Sequence, residues 1–275
     1  MKNDIVYTVK SHQRVDRFRD KTYNKIILEY QFDLNQVYVF VSTHEDLILY
    51  SNAFPEIKII QAPLGVANVD NFITDYFRQG QKIIYMNDDL TQICEVSDEN
   101  KFIPVAKNKL YGLCNKMFEI MEIQGIGYGG FYPVVNTMFM LNGDEVKTSL
   151  CLIMDPFSLV INNHKIRITI SDKSDFEKSI LHYIENGALL RYNRVAFKAE
   201  YYGKIGGFQG RNAETEINTA NQLMKKYPHY VASVNVKKEG KTSLKLNQLK
   251  ARKKIDFDNL LTETKTIDIN QLNLF

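Results

Sequence analysis

An α/β fold, with a mostly parallel central sheet flanked by helices, is predicted by three features of this 275-residue sequence. Four short β-rich runs alternate with segments of helical spacing in the first ninety residues, the pattern of a parallel sheet wound with crossover helices. The runs are near-continuous in apolar residues, as strands buried on both faces must be. With 44% hydrophobic and 24% charged residues, the chain can also bury one substantial core.

Residues 5–9 (IVYTV) form the first buried strand. Residues 17–30 follow, with Phe18, Tyr23, Ile26, Ile27 and Tyr30 at roughly helical spacing. Residues 37–41 (VYVFV) are a second strand, 45–52 a short helix and 57–62 (IKIIQA) a third strand. Gly65 opens a turn, after which Val69, Phe72, Ile73, Tyr76 and Phe77 make one stripe of a helix over 68–77. Residues 82–86 (KIIYM) are the fourth strand, ending abruptly in Asn87, Asp88 and Asp89. Beyond it, a helix is expected over 107–124 and a flexible loop over 125–130 (GIGYGG). Strand-like runs lie at 136–141, 150–154, 159–161, 166–170 and 189–197. Helices are expected over 175–186, closed by Gly187, and over 214–226, stopped before Pro228.

Thirty-five basic against 32 acidic residues give a formal charge of +3, which argues against a uniformly basic nucleic-acid coat. The excess is uneven. Residues 237–254 hold eight Lys or Arg and one Glu, leaving 27 basic and 31 acidic residues elsewhere. A body over 1–235 and a basic extension over 236–275 are therefore expected. Cys94, Cys114 and Cys151 lie far apart with no CxxC pair, fitting neither a disulfide framework nor a zinc site. No run of 18 apolar residues occurs, and MKNDIVYTVK lacks the apolar stretch of a signal peptide; a cytoplasmic protein without membrane partners is expected.

In open parallel sheets, ligands collect beyond the carboxyl ends of the strands. Those ends deliver Ser11, His12, Gln13 and Arg14 from the first strand, Pro63, Leu64 and Gly65 from the third, and Asn87, Asp88 and Asp89 from the fourth. A helix starting after Gly65 turns free N–H groups toward the same edge, suited to an anion. Adjacent carboxylates at the end of a buried strand repel unless a cation lies between them. Hard oxygen ligands select Mg²⁺ or Mn²⁺, which keep waters and bridge to phosphates. The pair can also simply begin a polar turn. Lys10, Arg14, Arg17, Arg19, Lys21 and Lys25 suit either a diphosphate or a solvated helix face, and Ser11 and Thr22 add hydroxyls.

The succession SHQR, FRDKT, GVANVDNFITDYF and KIIYMNDDL resembles the GT-A type glycosyltransferases, specifically the phage DNA-modifying and TET-associated enzymes, relatives of the base J glucosyltransferase. The likeness runs over 5–210 in order of elements and is most specific over 65–90. It implies a metal-dependent hexosyltransferase with UDP-glucose as nucleotide-sugar donor and Mn²⁺ or Mg²⁺ at the D-x-D-like position. The implied acceptor is a hydroxymethylated pyrimidine such as hydroxymethylcytosine in double-stranded DNA, or a sugar already on that base, in the cytoplasm of a phage host. By this resemblance, Ser11, Arg14 and Lys21 line the nucleotide and diphosphate side, and Gly65, Asn68 and Asn71 shape the donor pocket. Asp89 holds the metal with Asp88 beside it, and Asn87 offers a ribose or metal contact. Asn87 stands where the family's triplet commonly begins with Asp, and Asp70 where relatives often carry Arg.

Downstream, Asp172 and Asp175 precede a helix in the segment resembling the one that supplies the acceptor base in many inverting members, with Lys173 where relatives often place the acid. A helix cap is the alternative use of Asp175 or Ser174. The Gly-rich segment 203–211, with Lys204 and Arg211, matches either a lid over a diphosphate or a plain turn. His164, beside a strand, is a candidate metal ligand. Tyr128, Phe131 and Tyr132 are suited to stack a sugar or an extruded base, or to pack on the core. The basic run 237–254 suits a phosphate backbone. A polysaccharide or protein acceptor, or a nucleotide-sugar or DNA-binding protein without catalysis, would use the same donor site.

Overall fold

The computed structural model describes residues 4–200, 212–236 and 242–257. The four expected strands are β1 (Ile5–Lys10), β2 (Val37–Val41), β3 (Lys58–Gln61) and β4 (Lys82–Asn87), all parallel. Between them run α1 (Val15–Phe18), a π-helix (Arg19–Leu28), α2 (His44–Ala53) and α3 (Val66–Tyr76). The chain continues as β5 (Leu90–Val96), β6 (Phe102–Pro104), α4 (Lys107–Gln124), β7 (Tyr128–Tyr132), α5 (Thr137–Leu141) and β8 (Val146–Lys147). Then come β9 (Phe157–Ile161), α6 (Ser174–Asn186), β10 (Leu190–Ala199), α7 (Ala213–Lys226), β11 (Val231–Val236) and β12 (Thr242–Leu246).

The large sheet has the order β3-β2-β1-β4-β9-β7-β10-β5-β6, with β8 beside β10. β9 is antiparallel to both β4 and β7, so β7 again points the same way as β4. The chain steps outward from β1 to β2 and β3, then returns to place β4 on the other side of β1. That reversal leaves a crevice beyond the carboxyl ends of β1 and β4. Alternation along β1 feeds two cores. Ile5, Tyr7 and Val9 pack with the π-helix, α2 and α4, while Val6 packs with α3, α6 and α7.

Four expectations are corrected. Residues 17–30 are not one α-helix: the second part is a π-helix whose i→i+5 bonding brings residues five apart onto one face. The Phe18 and Tyr23 rings accordingly meet, 5.8 Å apart. Residues 136–141 form α5 rather than a strand, started by Asn136, whose side chain accepts from the Phe139 amide; so short an apolar run does not distinguish the two by period. Residues 150–154 and 166–170 join no sheet among the described residues. Their backbone groups find other partners: the Asn71 amide brackets Ile168, Glu177 accepts from Thr169 and Ile170, and Leu150 donates to the Leu249 carbonyl. Finally, 125–130 is mostly not a loop. Gly125 ends α4 with φ of +62°, and Tyr128 and Phe131 then lie wholly buried in β7. A Cβ on Gly130 would come within 2.6 Å of Ile153, so this strand passes where only glycine fits.

The expected boundary at 235/236 falls inside the β11–β12 hairpin, and the chain after it packs on the body. Lys253 donates to the Gln124 and Gly125 carbonyls at the end of α4. Arg252 donates to the Tyr183 and Ile184 carbonyls near the end of α6. Ile255 is buried in the core. Among the described residues, no helix is long and apolar enough to cross a membrane.

Candidate active site

The carboxyl ends of β1 and β4 carry the acidic turn. Asp88 and Asp89 are both buried, at 4% and 7% exposure. The Ser11 hydroxyl donates to Asp88 Oδ2 at 2.6 Å, and Arg14 Nη1 lies 3.4 Å from Asp88 Oδ1. Because the Ser11 proton goes to Asp88, Tyr50 donates to Ser11 across 2.6 Å, and the Tyr50 oxygen accepts from the Arg14 amide at 3.3 Å. Asp46 fixes the same loop from α2, bonding His12 Nδ1 at 2.8 Å and the Gln13 amide at 3.1 Å. Gln13 sits in the left-handed region, φ +55°, a conformation this network holds in place.

Asp89 has fewer partners. Its Oδ2 lies 3.7 Å from Arg17 Nη2, whereas its buried Oδ1 has no hydrogen-bond donor among the described residues. Burial, and then the neighbouring Asp88, push the Asp89 carboxyl up to about 6. Burial likewise raises Asp88, against the opposing pull of Ser11 and Arg14. An unsatisfied buried carboxylate oxygen costs free energy that a cation would recover. Among the described residues, no group of three or more His, Cys, Asp or Glu is arranged to hold a metal. Among the described residues, the acids this turn offers a cation are the Asp88–Asp89 pair. A Mg²⁺- or Mn²⁺-type ion would complete its shell from water and a bound phosphate, as such ions commonly do.

Next to this turn lies a buried ionic lattice. Lys10, at the end of β1, donates to Asp70 at 2.7 Å and to Asp155 at 2.8 Å. Lys178 of α6 donates to Asp155 at 2.7 Å and faces Asp70 Oδ2 at 3.6 Å. Both ammonium groups lie over the Tyr85 ring, and the Tyr128 hydroxyl donates to Asp155 at 3.1 Å. Burial disfavours the Lys10 ammonium, but Asp155 and Asp70 more than offset that and raise its pKa. The two lysines likewise override burial at Asp155 and hold its carboxyl well below the usual range. Asp175 is the carboxyl left over. Its Oδ1 accepts from the Asp155 amide at 3.1 Å, while burial and then the Asp155 charge push it up to about 7. Since Met86 pairs with Phe157, Asp155 and Asp175 share the edge occupied by Asp88 and Asp89.

The sequence-based candidates divide into those gathered here and those used elsewhere. Ser11, Arg14, Asn87, Asp88, Asp89 and Asp175 are gathered at one edge. Lys21 is paired with Glu200 at 2.6 Å. Gly65 has φ of +104° at the start of α3, and the Asn68 side chain bonds the Leu64 carbonyl, closing that turn. Asn71 does not open toward a donor: both ends of its amide are bonded to Ile168 at 2.8 Å. Asp172 is buried just before α6. Lys173, with φ of +66°, is the residue before the helix and turns its ammonium to Glu216 at 3.7 Å, so neither Ser174 nor Asp175 is the cap. His164 is not brought to the acidic turn. It bonds the Phe77 carbonyl beyond Ile161, which pairs with Lys82 at the far end of β4. Tyr128 and Phe131 are core residues rather than a stacking platform, and Tyr132 lies under the Arg191 guanidinium. Lys204 and Arg211 lie outside the described residues.

Sequence reasoning missed Asp155, Lys178, Asp46 and Tyr50. Asp155 had a signal, an acid directly ahead of the buried run FSLVI. Lys178 had a weaker one, a charge on the apolar stripe of α6. Asp70 pairs with Lys10 and balances a mostly buried ammonium.

No family model and no curated protein matches the chain in sequence. Solved structures do match. The mannosyltransferase PcManGT from Pyrobaculum calidifontis, solved with GDP-Man and Mn²⁺, aligns at TM-score 0.52 and 12% identity, over 82% of this chain and 63% of its own. S. aureus TarS 1–349, solved with UDP-GlcNAc, aligns at 0.50 and 11% identity, over 80% of this chain and 66% of its own. A mycobacterial protein aligns at 0.50 and 9% identity, over 90% and 83%. The chain spans slightly under two thirds of the length of the first two. At such identities the likeness is one of fold, and the fold is that of the GT-A glycosyltransferases.

Proposed function

We propose that this protein is a glycosyltransferase that takes a hexose from a nucleotide-sugar donor, UDP-glucose, and places it on a hydroxymethyl group of a DNA pyrimidine or on a sugar already there. The observation that carries the transferase reading is the buried Asp88–Asp89 pair beyond β4, with an oxygen lacking a donor among the described residues and two arginines beside it. The DNA acceptor rests on the resemblance over 65–90, and UDP-glucose on the same ground.

Asp89, with Asp88 beside it, would hold Mn²⁺ or Mg²⁺, which when bound supplies charge stabilisation to the departing diphosphate. Arg14 and Arg17 bring positive charge to the same place. The acceptor oxygen bonds to the anomeric carbon as the bond from that carbon to the diphosphate oxygen breaks. Asp175 takes the acceptor proton, its carboxyl pushed up to about 7 by burial and then by the Asp155 charge. Lys10, the last residue of β1, and Ser11 directly after it link the two halves of the site: one holds Asp155, the other Asp88.

UDP release from UDP-glucose, measured with unmodified and hydroxymethylated duplex DNA and with and without Mn²⁺, tests this reading. Turnover is expected only with modified DNA and metal. Asp89→Ala should abolish it while leaving the melting profile in place. Full activity of Asp89→Ala would dismiss the metal site, and turnover with a glycan or protein alone would dismiss the DNA acceptor.

A further inference from the structure

We propose that Thr22 is the positioning residue of the acidic turn, aiming Asp88 and Asp89 at the cation and diphosphate by clamping both ends of the turn's backbone. This rests on the site assignment given above. The Thr22 side chain is wholly buried, and its single hydroxyl makes two bonds. It donates to the Asn87 carbonyl at 2.7 Å and accepts from the Leu90 amide at 3.0 Å. Asn87 ends β4 and Leu90 begins β5, so the hydroxyl spans the two carboxylate-bearing residues and fixes where the chain enters and leaves them.

The clamp is needed because β4 and β5 do not form a hairpin. β4 continues into neither neighbour of β5, which pairs with β10 and β6 elsewhere in the sheet. Without ladder bonds between the two strands, the Asp88–Asp89 turn has no register of its own. Its backbone is held instead by Thr22 and by the Glu200 amide, which donates to the Asp89 carbonyl at 3.0 Å. The segment carrying Thr22 serves the turn in two further ways: Arg17 lies beside Asp89, and Lys21 pairs with Glu200. The π-helical stretch presents Thr22 and Tyr23 together on its buried side, one reaching the turn and the other the core. Partners that orient ligating carboxylates typically change metal affinity 10- to 100-fold when removed.

Thr22→Val keeps the shape and removes the hydroxyl; Thr22→Ser keeps the hydroxyl. Mn²⁺ affinity of the full chain is read by electron paramagnetic resonance in the presence of UDP, with Asp89→Asn measured alongside and folding followed by circular dichroism. Thr22→Val is expected to weaken Mn²⁺ binding about tenfold or more, with Thr22→Ser close to wild type. If Thr22→Val does not fold, Thr22→Ala takes its place against the same Thr22→Ser comparison. Wild-type Mn²⁺ affinity in Thr22→Val or Thr22→Ala, while Asp89→Asn has lost it, overturns the role of Thr22 alone. Wild-type affinity in Asp89→Asn overturns the site itself, and the positioning role with it.

Discussion

In the proposed transfer, Asp175 owes its role to its neighbours' charges. Two lysines and two aspartates pair off around it, and the third carboxyl has no ion-pair partner of its own among the described residues. Burial and Asp155 therefore raise it to about 7 from an ordinary 3.8. The sign of the linkage follows. Folding favours the protonated form, so the stability this group contributes is full below about 4 and is lost as pH rises through about 7. Activity runs the other way, because a base must be ionised. Sugar transfer is expected to climb through about pH 7, and Asp175→Asn should lower kcat roughly 10²- to 10⁴-fold and flatten that limb. A pH–rate profile of the two proteins, with denaturation at pH 5 and about 8, checks both halves. That an acid lies at the start of this helix is visible in the sequence. That it is the odd member of a five-group cluster is not, because Lys10, Asp70, Asp155 and Lys178 come from four separate parts of the chain.

Among the elements, the segment 166–170 shows most clearly how strand-like sequence can be satisfied without a sheet. IRITI has the β-branched alternation of a strand, yet Glu177 takes the place of a partner strand. Wholly buried, Glu177 accepts from the Thr169 and Ile170 amides, the Thr169 hydroxyl, Lys226 and Tyr227, tying the segment and α7 to α6. Those donors outweigh burial and lower its pKa, so its contribution is present above about 4.5 and is lost as pH falls below that. Glu177→Gln places an amide against these donors and should cost about 3 kcal/mol at neutral pH. The loss should shrink toward pH 3, as chemical denaturation at the two pH values would reveal. The π-helix makes a related point. The five-residue step from Phe18 to Tyr23 is present in the sequence, but only the bonding pattern turns it into a shared face carrying Thr22 to the acidic turn.

At the scale of the whole molecule, the charge distribution changes meaning once the chain is folded. A basic run near the carboxyl end suggests a solvated arm for phosphate backbone. Over 247–257, however, Arg252 and Lys253 are spent on the last carbonyls of α6 and α4, where the helix dipole favours cations. The segment closes the two helices against the body. Replacing both residues by alanine should lower stability by about 1–2 kcal/mol, read from a denaturation midpoint, since two charge-assisted caps are lost. Lys245, Lys250 and Lys254 stay exposed and keep whatever role the tail has toward an anion.

The sequence by itself determined the parallel half of the sheet, because strands buried on both faces must be continuous in apolar residues and the crossovers between them amphipathic. It also marked which residues stand beyond the carboxyl ends of those strands, where the candidate site is read. A reversal of strand order beyond β1 makes a crevice at the carboxyl ends, and residues 11–14 and 87–89 stand there whatever the details. Tertiary structure alone decided which polar residues serve that crevice. Asn71 and Lys21 were drawn into other bonds, and His164 was carried to the far end of β4 by an antiparallel β9 whose direction no local pattern announces. Asp155, Lys178 and Thr22 were brought in from afar. Local spacing sets which way a side chain can point along its own strand or helix. The partner that makes it a buried charge, a clamp or a base arrives from a distant part of the chain, and only packing selects it.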